Sequence, residues 1–226
     1  MQHNAPTESI KKVLGAAREI AEYLDEYLDK QEWFPLSIGL QNGASVESSL
    51  FVLSACPAAA GPPVSNEPHP LHVAMEHGAP TGAVEALLEA DVAAAGFADK
   101  EGLLALHHGA EHGATAESIE LVLRANPDAA TRESKSGMAA LHFATRCRTR
   151  MSPAEKATVI RLLLDGNASA ARSPDSDGRL PLRSGIKNHA PAESIKLVLQ
   201  AYTDAARVSN DDDDGCLPLH NTITVS

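Results

Sequence analysis

The sequence predicts an all-α fold, a solenoid of stacked helix-turn-helix units joined by hairpin-like loops, and three observations carry that reading. First, a Leu in segments of the Pro-Leu-His type stands at Leu36, Leu71, Leu106, Leu141, Leu182 and Leu219, so successive positions differ by 35, 35, 35, 41 and 37. Second, the last Leu of an apolar helical run falls at Leu14, Leu53, Leu88, Leu123, Leu164 and Leu199, with differences of 39, 35, 35, 41 and 35. Third, the residue types between the two anchors recur by position. A period in this range is the signature of repeat architectures. The irregular spacings are assigned to loops, six extra residues around Arg148 to Ser152 and two near Asp211, where stacked units tolerate insertion.

Each unit opens on a turn. Asp29, Asp99, Asp175 or Asp212 stands seven residues before the anchor Leu, and Gly102, Gly137, Gly178 or Gly215 four before it. Asp accepts from backbone amides two residues on, and Gly supplies positive φ. Pro35, Pro70, Pro181 and Pro218 then suit the first position of a helix, where a missing amide costs nothing. His72, His107, His142 and His220 follow the Leu. Three residues after it the side chain is small in five of six units (Gly39, Ala74, Gly109, Ala144, Gly185; Thr222 is the exception), as expected where two helices approach closely.

The first helix is expected to end at Gly43, Gly78 or Gly113. A second helix follows, clearest at Thr115-Ala116-Glu117-Ser118-Ile119 and Pro191-Ala192-Glu193-Ser194-Ile195, with Glu117 and Glu193 near the positive end of the helix dipole. The unit closes on an Ala-Ala turn such as Ala125-Asn126-Pro127-Asp128-Ala129-Ala130.

Asp-x-x-Gly, Pro-Leu-His, a small residue, Gly and a Leu-rich second helix together resemble the ankyrin repeat, and the resemblance covers essentially the whole chain. The Thr usual before Pro-Leu-His is replaced by Phe34, His69, Leu104, Ala139, Leu180 and Leu217, and the Ala-Ala ending resembles the divergent repeats of algae and other protists. The expected organisation is one array over 1–226. A partial unit at 1–28 keeps only an extended second helix; full units follow at 29–63, 64–98, 99–133, 134–174 and 175–211, and a partial unit at 212–226. Both ends fall inside a unit, which suggests a fragment of a longer array or a truncated product.

Composition narrows the function classes. With 19 basic and 30 acidic residues the formal charge is −11, unsuited to phosphate backbones, so neither nucleic acid nor a membrane is expected as a partner. No run reaches the roughly 18 apolar residues of a membrane helix, and Met1 opens onto polar residues rather than a basic and then apolar leader. A cytoplasmic location is expected, with the nucleus as the alternative. Cys56, Cys147 and Cys216 are odd in number and unpaired in spacing, as free thiols in a reducing compartment are.

Three candidate chemistries are set aside, two on the repeat register and the glycosylation sequon because no secretory leader is read. His108-Gly109-Ala110-Glu111-His112 matches a zinc-protease pattern, but Gly109 is a packing position, and His108 falls where other units carry Ile38, Val73 or Phe143. Asn210-Asp211-Asp212-Asp213-Asp214-Gly215 resembles the start of a calcium loop, yet its twelfth position is Asn221 rather than Glu. Asn167-Ala168-Ser169 is a formal glycosylation sequon. The recurrent His reads as structural, its ring bonding the neighbouring loop, as the resemblance implies. No catalytic constellation is seen, so no enzyme, metal or cofactor is expected.

The expected function is that of a monomeric, non-catalytic protein-protein interaction scaffold or adaptor. The alternative is the regulatory or targeting part of a larger enzyme, such as a kinase. By the resemblance, the partner lies on a concave face formed by the first helices and loop tips. Its candidate residues are Gln41, Asn42, Glu76, His77, Glu111, His112, Arg146, Cys147, Lys187 and Asn188, with Trp33, Lys135, Met138 and Arg179 on the loops. Charge changes sign along that line, from Glu76 and Glu111 to Lys135, Arg146, Arg179 and Lys187, which suits an acidic or phosphorylated partner segment.

Overall fold

The computed structural model describes residues 35–55, 57–61, 68–148 and 151–207. These residues are all-α. They contain ten α-helices, here α1 (Pro35–Gln41), α2 (Val46–Ala55), α3 (Pro70–His77), α4 (Thr81–Ala90), α5 (Ala105–His112), α6 (Ala116–Ala125), α7 (Ala140–Arg146), α8 (Pro153–Gly166), α9 (Pro181–Lys187) and α10 (Ala192–Ala201). Extended pairing among them is limited to one isolated antiparallel bridge between Glu133 and Ala139. The expected partial units at 1–28 and 212–226, Trp33, Cys56, Cys216 and the acidic run Asp211 to Asp214 lie outside the described residues.

Two layers result from the order of contact. Odd-numbered helices touch in series, α1 with α3, α3 with α5, α5 with α7 and α7 with α9, and the even-numbered helices do the same. Each odd helix also packs on the even helix that follows it. Leu36, Leu71, Leu106, Leu141 and Leu182 are all buried between the layers, so the residue that sets the period also fills the core. Ala59, Ala60, Ala94, Ala95, Ala129, Ala130, Ala170 and Ala171 are buried in short 3₁₀ turns after the second helices.

Local chemistry explains the boundaries. Pro70 takes the first position of α3, and His69 caps it by accepting from the Leu71 amide through Nδ1 at 3.2 Å. An imidazole thereby does what a Thr hydroxyl would do at a helix start. α3 and α5 end on Gly78 and Gly113, both left-handed, at φ 65° and 79°. α6 begins at Thr115, whose hydroxyl accepts from the Ser118 amide, and buries Ile119 and Val122.

The fourth unit departs from the expectation that insertions stay in loops. α8 spans fourteen residues where α6 spans ten. Ser152 and Glu155 cap each other's amides at its start, at 3.2 and 3.0 Å, so part of the insertion is an added turn of helix. That turn carries Lys156 into the interior, where it is 6% exposed.

Candidate functional site

Three loop tips lie side by side and are joined through their backbones. The Asp99 carboxylate accepts from the amides of Glu101 and Leu103, both at 2.8 Å, and Asp175 accepts in the same way from Asp177 and Arg179 at 3.0 and 2.8 Å. Lys135 N donates to Glu101 O at 3.0 Å and Ser176 N to Ser136 O at 2.9 Å. The tips are thus held in register from one unit to the next.

The recurrent histidines lock the tips to the helices. His107 accepts from the Leu104 amide through Nδ1 at 2.9 Å and His142 from the Ala139 amide at 3.2 Å. Each ring therefore carries its proton on Nε2, which donates to the carbonyl of Arg132 at 3.1 Å and of Arg179 at 3.2 Å respectively. His72 Nε2 faces Leu103 O at 3.1 Å in the same manner. Burial holds all three below the usual imidazole range, His107 down to about 4, and His69 is likewise lowered by burial to about 4. In the fifth unit Arg183 takes this position and is also buried.

A second ladder crosses the far side. Asn126 Nδ2 donates to Ala95 O and Asn167 Nδ2 to Ala130 O, each at 3.2 Å. Asn167 of the sequon thus serves as an inter-unit tie.

Of the expected face, Gln41, Asn42, His77, His112, Lys135 and Lys187 are exposed, while Glu76, Glu111, Met138, Arg146, Arg179 and Asn188 are half-buried. Cys147 does not belong to it. It is 6% exposed, because Lys156 draws its carbonyl inward at the end of α7. The structure brings Glu111, Met138 and Arg146 together: the guanidinium pairs with the Glu111 carboxylate at 2.9 Å, donates to Met138 Sδ at 3.3 Å and lies 5.2 Å from the Phe143 ring centroid. Arg179 pairs with Asp177 at 2.7 Å. Among the described residues, Lys135 and Lys187 have no carboxylate within ion-pair distance. Among the described residues, two of the four expected cations are thus engaged with carboxylates and two are not.

The imidazoles of the pseudo-motif have their own partners. His108 Nε2 donates to Asp99 Oδ2 at 3.0 Å, and its ring lies edge-on to His72 at 5.2 Å. Burial works against the Asp99 charge, but the Leu103 amide, the His108 ring and the Glu101 amide outweigh it and hold the carboxyl below its usual range. Among the described residues no three His, Cys, Asp or Glu side chains converge as metal ligands would. The register left Asp99 as a turn former and His108 as an apolar-position departure. Their contact was not expected from the sequence; the signal that could have found it is a polar ring at a mostly apolar position, which needs a polar partner once buried.

No helix of the described residues is long and apolar enough to cross a membrane. No protein-family model matches the chain, and a search of the curated proteins finds no match.

Proposed function

We propose that this chain is a non-catalytic scaffold or adaptor of the ankyrin-repeat type, which binds a protein partner along the face formed by its first helices and loop tips. The observation that carries this reading is the contrast between an interlocked backbone and open side chains. Loop amides, His rings and Ala-Ala turns hold the units in register, whereas Lys135 and Lys187 project from the same stack without a counter-ion among the described residues. A rigid frame spends little entropy on ordering when it binds. Two exposed ammonium groups in a molecule of net charge −11 form a local positive field, suited to an acidic or phosphorylated segment of the partner. Binding is expected in the cytoplasm, with the nucleus as the alternative, and by the monomer.

The test is affinity capture from the native cell extract with the wild type, with Lys135→Glu/Lys187→Glu, and with a control reversed on the second-helix side at Arg124 and Lys196. Capture lost only with the first variant, at unchanged melting temperature, supports the reading. Equal capture by all three removes the face from consideration.

A further inference from the structure

We propose that His108 is a proton-operated clamp between the second and third units, because its one unbonded ring nitrogen is buried and faces the Glu76 carboxylate while the other holds Asp99. The distances are 3.9 Å from Nδ1 to Glu76 Oε2 and 3.0 Å from Nε2 to Asp99 Oδ2. Nδ1 has no hydrogen-bond partner among the described residues and is shielded from solvent. Asp99 is an acceptor only, so the neutral ring must spend its single N–H on Asp99 and turn a lone pair toward Glu76. That contact is repulsive. A proton taken from solvent onto Nδ1 reverses its sign and gives a cation held between two carboxylates.

The clamp would connect three parts of the fold. Glu76 is on α3, His108 on α5 and Asp99 in the loop tip whose amides it organises. His108 stands where three other units place Ile38, Val73 and Phe143, and its side chain is 14% exposed.

The surrounding titratable groups set the balance. α3 contributes His72 and, at its end, His77, besides Glu76. α5 itself contributes His107, Glu111 and His112, and the His112 ring stacks on His108 at 6.4 Å. α7 contributes His142 and Arg146, the latter already paired with Glu111, and on α6 Glu120 and Arg124 pair with each other. Burial lowers both His72 and His107, the latter to about 4, which disfavours a further cation beside His108. His112 is exposed.

Closing the clamp also withdraws Glu76 from the face proposed to bind a partner, so acidification would weaken any contact made through that carboxylate. Only this consequence rests on the functional reading; the clamp does not.

The experiment is a pH titration of the full chain, followed by long-range ¹⁵N–¹H correlation of the imidazole nitrogens and ¹³C detection of the Glu carboxyls, and needs no partner. In the wild type the His108 Nδ1 resonance starts in the unprotonated range and moves to the protonated one as the Glu76 carboxyl shifts with the same midpoint. In Glu76→Gln, and in Glu76→Ala as a second variant at this half-exposed site, the His108 midpoint falls by about one pH unit, the size expected for loss of an opposite charge at this range. Glu101→Gln leaves it in place. An unchanged midpoint in both Glu76 variants overturns the proposal, as does a neutral ring whose proton sits on Nδ1.

Discussion

The Lys156 ammonium donates to the carbonyl oxygen of Cys147 at 2.6 Å and to that of Thr145 at 3.2 Å, closing the end of α7 with a side chain from α8. α3 and α5 end on a left-handed Gly, whereas Cys147 has φ −53° and cannot turn the chain in that way. The added turn of α8 supplies the missing cap. Burial lowers the ammonium below the usual lysine range, with an opposing contribution from Cys147.

Removing that cap leaves two carbonyls without their donor. Lys156→Met keeps the stem and deletes the ammonium, and should cost about 1–3 kcal/mol in denaturant unfolding. The exposed Lys196→Met should change stability by less than about 0.5 kcal/mol. Equal effects would show that the Lys156 contacts contribute nothing to the fold.

Packing at the small-residue position gives a second prediction. A Cβ added at Gly109 would stand 2.4 Å from Met75 Cε and 3.1 Å from Ile119 Cδ1, and Met75 is fully buried. Gly109→Val should therefore destabilise by about 1–3 kcal/mol, the usual cost of overpacking. Shortening the obstacle with Met75→Ala should make the second substitution cheaper, so a double-mutant cycle should give a favourable coupling between the two. Strict additivity would place the close approach elsewhere.

The histidines predict how stability depends on pH. His69 and His107 titrate near 4 in the folded chain against an ordinary value of 6.5, so between those values the unfolded chain binds more protons than the folded one. Stability from these groups is complete above about pH 6.5 and falls with acidification, by up to about 1.4 kcal/mol per pH unit for each. His72 and His142, lowered by burial, act in the same direction. Denaturant unfolding between pH 7.5 and 4.5 should show the loss, and His107→Gln should be less stable at neutral pH but with a shallower pH slope. A slope unchanged by that substitution would remove the buried imidazole as its source.

The helical repeat was legible because period and burial coincide: Leu71, Leu106 and Leu141 set the spacing and are 0–1% exposed. Gly109 was legible for the same reason, since a small residue recurs at that position, whereas the loop-bonding role of His107 and His142 was implied by the family resemblance, and Ser37 and Arg183 take that position in the first and fifth units. What escaped the register is what does not repeat. Lys156 follows the insertion and stands, counted back from Leu164, where Thr115 stands before Leu123, and nothing in its neighbours in sequence says that an added turn of helix will bury it there. Pairing of Arg146 with Glu111 depends on side chains 35 residues apart at the same register position in successive units; alternation of charge was visible, but not which cations it would neutralise.

Arg146 and Lys187 occupy equivalent positions at the ends of α7 and α9, yet the contacts predict different consequences of losing them. Arg146 is paired with Glu111, lies against Phe143 and donates to Met138, and its side chain is 39% exposed. A half-exposed ion pair is worth up to about 1 kcal/mol and its cation–π contact about 0.5–1 kcal/mol. Arg146→Ala should accordingly destabilise by about 1 kcal/mol, and part of that loss should persist at high salt, because stacking on Phe143 is less screened than the pair with Glu111. Lys187 is exposed and makes no ion pair among the described residues, so Lys187→Ala should change stability by less than about 0.5 kcal/mol at any salt concentration. Denaturant unfolding at low and at 1 M salt distinguishes the two. Identical behaviour of both variants would mean that the Glu111–Arg146 pair does not persist in solution, and Arg146 would then join Lys187 as a cation open to a partner.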